Sequence, residues 1–179
     1  MYRILFVCLG NICRSPMADG LMRTLVADAG LDTEIEIDSA GTGNWHVGAP
    51  PDARMQETAR RHHVELSTLR ARQFQGVDFE AFDLILAMDT SNLRDIQSMA
   101  HPGDRTDHVI LFRSFDPVNN ASDDGAAHER TEALREPNVP DPYFGGADGF
   151  EEVYQMVART CRDILSRFEH GQLPGQLPA

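Results

Sequence analysis

Ile4-Leu5-Phe6-Val7-Cys8-Leu9-Gly10-Asn11-Ile12-Cys13-Arg14-Ser15-Pro16 is the stretch that decides how the chain is read. Ile4 to Val7 is an apolar run with the length and the β-branched and aromatic content of a buried strand. The run stops at Cys8, and beyond Pro16 the pattern turns helical, with Met17, Leu21, Met22, Leu25 and Val26 at helical spacing up to Gly30. Ser15 is a favourable N-cap, and Pro16 suits the first helical position, where a missing N–H costs nothing. Gly10 and Asn11, in the loop between, are the residue types that most readily take a positive φ. Strand, tight loop and helix N-terminus in this order form a cradle of backbone N–H groups. Such a cradle binds anions through oriented donors and the positive end of the helix dipole.

Cys8 and Arg14 turn the cradle into a candidate reaction centre. Donors that hold an oxyanion also favour a thiolate over a thiol. The planar fork of Arg14 matches two phosphate oxygens. A sulfur nucleophile beneath a clamped phosphate is arranged for in-line displacement at phosphorus. Cleavage of a phosphate monoester leaves an alkoxide or phenoxide that needs a proton, which a carboxylic acid on a neighbouring loop can supply. Two Asp-Pro pairs compete for that role, Asp116-Pro117 and Asp141-Pro142.

The string from Val7 to Ala18 closely resembles the phosphate loop of the low-molecular-weight protein tyrosine phosphatases. Asp141-Pro142-Tyr143-Phe144-Gly145-Gly146 resembles that family's second signature, whereas Asp116 lacks the aromatic and Gly-Gly that follow Asp141 and is read as an ordinary turn residue. Fainter likenesses at 38–42, 71–73 and 88–94 occur in the family's order, so the resemblance spans about residues 2–170. It implies a phosphotyrosine phosphatase working through a cysteinyl-phosphate, with Cys8 as nucleophile, Arg14 stabilising the transition state and Asp141 as acid, then base. Leu9, Gly10, Asn11, Ile12, Cys13, Arg14 and Ser15 are then the phosphate-binding loop, braced by the side chains of Asn11, Ser15 and Ser39. Trp45, the one tryptophan, and Tyr143 are implied as the walls of an aromatic slot. Cys13 is implied as the redox partner of Cys8. Tyrosine-phosphorylated proteins are the implied substrates, with no cofactor and no metal. Where the family often has a histidine this chain has Leu69, and Phe144 stands where a second tyrosine is common. Arsenate reductases of similar fold relay electrons through further cysteines, of which only Cys161 is present. Protein arginine phosphatases typically carry threonine where this chain has Ile12. A non-catalytic phosphate-binding adaptor is the alternative from another class, and it would be expected to lack Cys8, Arg14 or Asp141.

The 179 residues are enough for one sizeable α/β core and short for two domains. A formal charge of −12 argues against nucleic acid or an anionic membrane as main partner, since both require a basic footprint. Three cysteines suit a reducing compartment, and with no signal-peptide layout and no long apolar run the expected address is the cytoplasm, without membrane insertion, as a monomer or weak dimer. Further strands are read at 34–38, 83–88 and 108–112, and helices over 52–63, from about Thr90, and along the Phe150–Phe168 stripe. This alternation predicts a single three-layer α/β domain over 1–170, a four-stranded parallel sheet with helices on both faces. Its order, 2-1-3-4, is implied by the resemblance alone. Residues 119–138 read as a surface insertion, with a short helix near 128–135, and 171–179 as a disordered tail.

Overall fold

A computed structural model of the chain describes residues 1–120, 137–144 and 146–176. Four strands, β1 (Tyr2–Cys8), β2 (Ile35–Gly41), β3 (Leu84–Ala87) and β4 (Val109–Leu111), form a parallel sheet in the order β2-β1-β3-β4. The helices are α1 (Arg14–Asp28), α2 (Ala53–Arg61), α3 (Asp78–Ala81), α4 (Thr90–Ser98), the short α5 (Pro117–Asn120) and the long α6 (Ala147–Glu169). Cys8 pairs with Gly41 and Val7 with Ala87, so the carboxyl ends of β1, β2 and β3 finish level with one another. In a sheet of this kind ligands bind beyond that edge.

Alternation along β1 builds two cores. Ile4 and Phe6 join Met17, Met22, Val157 and Cys161 on the face covered by α1 and α6. Leu5 and Val7 join Ile85, Phe79 and Ile96 on the face covered by α3 and α4. Both faces of the central strand are therefore dry, which is why it reads as a continuous apolar run. β2 lies at the sheet edge, as its Glu/Ile alternation suggests. Among the described residues no helix is long and apolar enough to cross a membrane.

Three expectations are corrected. Helix α1 starts at Arg14 after Cys13, without a side-chain cap, and Ser15 lies inside its first turn. The hydroxyl of Ser15 is committed to the loop instead, and Pro16 is harmless there because the first N–H groups of a helix have no intrahelical partner. The expected disorder from Gly171 fails for 171–176. Leu173 is buried in the main core, Tyr2 Oη donates to the Pro174 carbonyl at 2.5 Å, and Gln176 Nε2 donates to the Phe168 carbonyl at 3.0 Å. One apolar side chain has found a seat beside Tyr2 and Phe168, which composition does not reveal. Third, Asp116 is no ordinary turn residue. It is fully buried, accepts hydrogen bonds from Arg113 and Arg159, and takes the Val118 N–H that opens α5. The insertion at 119–138, including its expected helix, lies outside the described residues from 121 to 136.

Burial pushes the Asp116 carboxyl up, but the hydrogen bonds from Arg159 and Val118 and the charges of Arg159 and Arg113 outweigh it and leave it below its ordinary value. With a folded pKa below the unfolded value of about 4, its contribution to stability is complete above that value. It is lost as pH falls through the folded pKa. Replacing Asp116 with alanine strands a buried Arg113 and should cost about 3–5 kcal/mol of stability, read as a fall in urea midpoint. A midpoint unchanged at neutral pH would show that the ion cluster does not support the fold.

Candidate active site

The loop that leaves β1 at Cys8 reaches α1 by way of Asn11, which has φ of 53° in the left-handed region. The Asn11 N–H donates to Cys8 Sγ at 3.3 Å, and its Nδ2 donates to Ser15 Oγ at 3.0 Å. Its Oδ1 accepts the Arg72 N–H at 2.9 Å. Leu69, which stands where the family often has a histidine, packs on the core. Ser15 Oγ lies 3.0 Å from Cys8 Sγ and 3.2 Å from the Ala40 carbonyl. With one hydrogen to give, Ser15 can serve the carbonyl or the sulfur, not both. Gly41 makes room for the loop: a Cβ there would stand 2.7 Å from Leu9 O and 3.0 Å from Asn11 N.

Cys8, Arg14 and Asp141 line a single cavity, together with Leu9, Gly10, Ile12 and Cys13 of the loop. Trp45, His46 and Tyr143 complete its wall, and Trp45 is 71% exposed and Tyr143 40%. Both rings stand at the mouth of the cavity, not in the core. Asn11 and Ser15, grouped by sequence with the phosphate binders, are buried behind the loop and brace it from there. Ser39 departs from expectation. Its hydroxyl donates to Asp19 Oδ2 on α1 at 2.9 Å, and it is the carbonyl of its neighbour Ala40 that accepts from Ser15 Oγ.

Arg14 is nearly fully buried. Its Nη1 donates to Asp89 Oδ2 at 2.5 Å and to the Val139 carbonyl at 3.1 Å, while Nη2 donates to Asp141 Oδ2 at 3.0 Å. Burial works against the charge, but Cys8, Asp141 and Asp89 more than offset it, so the guanidinium is held above its ordinary pKa. Asp141 is fixed from its other oxygen by the Tyr143 N–H at 3.1 Å. The acid loop is itself tied to the end of β3, with Val139 N–H on the Met88 carbonyl and Thr90 N–H on Asn138 Oδ1. Burial pushes the Cys13 thiol well above its ordinary value, with Asp52, Cys8 and Asp141 adding to the effect.

Three residues at this site were not singled out from sequence. Asp89 stands in the 88–94 string as the cap of α4 and also holds Arg14. His46 lies over Gly10, where a Cβ would come within 3.0 Å of its ring. Arg54 donates to the Tyr143 carbonyl at 3.3 Å and stacks 5.4 Å from that ring. Only Asp89 had a signal, since an Asp before Thr-Ser-Asn reads as a helix cap. Among the described residues no three His, Cys, Asp or Glu side chains group as metal ligands.

A family profile described as low molecular weight phosphotyrosine protein phosphatase matches residues 3–173. The chain belongs to that family. It is 42% identical to the low molecular weight protein-tyrosine-phosphatase of Streptomyces coelicolor over 165 residues, covering 92% of each chain. The crystal structure of YfkJ from Bacillus subtilis superposes with a TM-score of 0.79 at 37% identity, covering 95% of this chain and 96% of that one. A Drosophila arginine phosphatase superposes with a TM-score of 0.77 at 32% identity, covering 93% of this chain and 97% of that one. This phosphatase thus has the sheet order implied by the resemblance and the single α/β domain predicted from the alternation of strands and helices.

Asp89 orients the buried guanidinium of this phosphatase without lining the cavity. Replacing it with alanine should lower kcat/KM on an aryl phosphate by about 10- to 100-fold, the scale of a displaced catalytic group, and raise the Ki of inorganic phosphate. Asp89→Asn, which keeps one acceptor oxygen where the carboxylate has two, one for Arg14 and one for the Asn92 N–H, should lose less. Wild-type values in Asp89→Ala would mean that Val139 and Asp141 suffice to place Arg14.

Proposed function

We propose that this site hydrolyses phosphotyrosine monoesters in proteins through a cysteinyl-phosphate intermediate. The observation that carries the reading is the convergence of Cys8, Arg14 and Asp141 on one cavity with two exposed aromatic rings at its mouth. Cys8 Sγ attacks phosphorus as the bond to the phenolic oxygen breaks. Arg14 turns from its carboxylate partners to the phosphate, whose charge then balances the guanidinium. Asp141, released from Arg14, takes up a proton from solvent and passes it to the leaving oxygen. In the second half Asp141 takes a proton from water as that water attacks phosphorus and the S–P bond breaks. Ser15 donates its hydrogen to the departing sulfur. The family and its relatives' names support the phosphotyrosine substrate class.

Hydrolysis of phosphoarginine is the second reading, favoured by the similarity to the Drosophila arginine phosphatase. Ile12 argues against it, since it lines the cavity and offers only hydrocarbon to a charged guanidinium leaving group. Redox control belongs to the same proposal. Cys8 and Cys13 line the same cavity, whereas Cys161 is buried on the apolar stripe of α6. Peroxide would convert Cys8 to the sulfenic acid, and attack by Cys13 sulfur would form a disulfide and release water. With three free cysteines, the reducing cytoplasm is the proposed setting.

Asp141→Ala should lower kcat on a phenyl phosphate by about 10²–10⁴-fold, and much less when the leaving group is already acidic. Cys8→Ser should abolish turnover. Phosphotyrosine peptides should be cleaved far faster than phosphoserine or phosphoarginine peptides, and Ile12→Thr should shift the balance toward phosphoarginine. Equal kcat/KM on all three peptides in the wild type would rule out the aromatic slot. Mild peroxide should inactivate the wild type reversibly and give a Cys8–Cys13 disulfide on peptide mapping. A Cys8–Cys161 bond would overturn that assignment.

A further inference from the structure

Residues 71–74 form neither a helix nor a full strand, yet three parts of the site hang from their backbone. The Arg72 N–H donates to Asn11 Oδ1 at 2.9 Å, holding the residue whose left-handed backbone turns the phosphate loop. The Arg72 carbonyl accepts from Gly41 N–H at 2.9 Å, and Phe74 N–H donates to the Gly41 carbonyl at 2.8 Å, so the segment extends the end of β2 beneath that loop. The Ala71 carbonyl accepts from Gly48 N–H at 2.8 Å and the Ala71 N–H donates to the Ala49 carbonyl at 2.9 Å, gripping the loop that carries Trp45 and His46. What holds this strap in place is therefore felt at both the phosphate and the aromatic wall.

Besides Gln73 Nε2, which donates to the Thr42 carbonyl at 3.2 Å, two anchors hold it. Phe74 is buried in the second core. The other anchor is the Arg72 side chain, whose Nε donates to Asp38 Oδ2 at 2.8 Å and whose Nη1 donates to Asp78 Oδ2 at 3.0 Å. Asp78 is buried and also accepts the Gln75 N–H at 2.8 Å, so it fixes the strap from two points. The guanidinium lies 5.8 Å from the Phe82 ring, which closes the clamp on its flat side. None of these side chains lines the cavity.

We propose that Arg72 is a positioning residue for catalysis: clamped by Asp38 and Asp78, it sets the strap whose backbone fixes Asn11 and the wall loop together. The inference rests on the phosphatase reading of the site. The clamp works through geometry, because the Asn11 bond is made by a backbone N–H that every substitution except proline retains. Loosening the strap lets Asn11 relax and tilts the loop donors away from Cys8 Sγ and from a bound phosphate. An anchor of stability alone would leave both unchanged in the folded protein.

The test compares the full-length wild type with Arg72→Ala, Arg72→Lys, Asp78→Asn and the double variant Arg72→Ala/Asp78→Asn. Readouts are kcat and KM on an aryl phosphate, the thermal midpoint, and the pH dependence of Cys8 carboxymethylation by iodoacetate, read by mass spectrometry of the Cys8 peptide. Arg72→Ala should lower kcat about tenfold, raise KM, and require a higher pH for half-maximal alkylation of Cys8. Arg72→Lys, able to reach one carboxylate, should fall between. The double variant should be no worse than Arg72→Ala, as expected of two groups in one clamp. A lower thermal midpoint with wild-type kcat, KM and alkylation profile in Arg72→Ala would overturn the proposal. If that variant does not fold, wild-type kinetics and alkylation in both Arg72→Lys and Asp78→Asn would do the same. Alkylation needs no turnover, so a wild type inactive on aryl phosphates would sink the functional reading and leave the clamp still decided.

Discussion

Everything at this site depends on Asn11 remaining in the left-handed region of the backbone map. A chain that must leave a buried strand and enter a helix within a few residues, with its N–H groups turned inward, needs one residue of reversed hand. An L-residue other than glycine meets a cost of about 1–2 kcal/mol there, which Asn tolerates best because its side chain can bond locally. Asn11 does more than tolerate it. Its amide joins Ser15 Oγ on one side and the Arg72 N–H on the other, and two such bonds, at about 1 kcal/mol each, offset the strain. Glycine would make the same turn but would connect it to nothing.

A second constraint is electrostatic. An acidic chain of net charge −12 must keep a positive spot deep in its surface. Arg14 meets this with its charge surrounded by acceptors, two carboxylates and a carbonyl. The proposed acid, Asp141, is one of those carboxylates, so in the proposed mechanism substrate binding and release of the acid are linked through a single guanidinium. The second Asp-Pro pair serves the same loop from beneath. Asp116 holds Arg113, and Arg113 Nη1 donates to the Asn138 carbonyl at 3.2 Å, where the chain turns toward Asp141. Of the two Asp-Pro aspartates, one thus lines the cavity and the other supports the loop that carries it.

Local signals in the chain were sufficient for the central elements. The apolar run before Cys8, the alternation of Ile35 and Ile37, and the stripe from Phe150 to Phe168 determined strand and helix because each is a periodicity of the chain itself. Cys8, Arg14 and Asp141, which line one cavity, were legible as a candidate set because their neighbours are specific: a tight Gly-Asn turn, a helix start, and an Asp-Pro followed by an aromatic and Gly-Gly. The polar tail misled for the opposite reason. A single Leu173 outweighs its surroundings once Tyr2 and Phe168 provide a seat, and composition averages that residue away.

Tertiary structure alone decided how side chains distant in sequence share the work. The Ser15 hydroxyl looked like a helix cap and became a partner of the Cys8 sulfur, because the end of β2 brings the Ala40 carbonyl behind it. Ser39 looked like a brace for the loop and points instead to Asp19. Asp89, 75 residues from Arg14, holds that arginine, and Arg72, 61 residues from Asn11, holds that asparagine. No periodicity or motif spacing encodes such pairs. They arise where the crossover connections of a parallel sheet bring the ends of separate strands to one edge, and hydrogen-bond partners there are set by position in space.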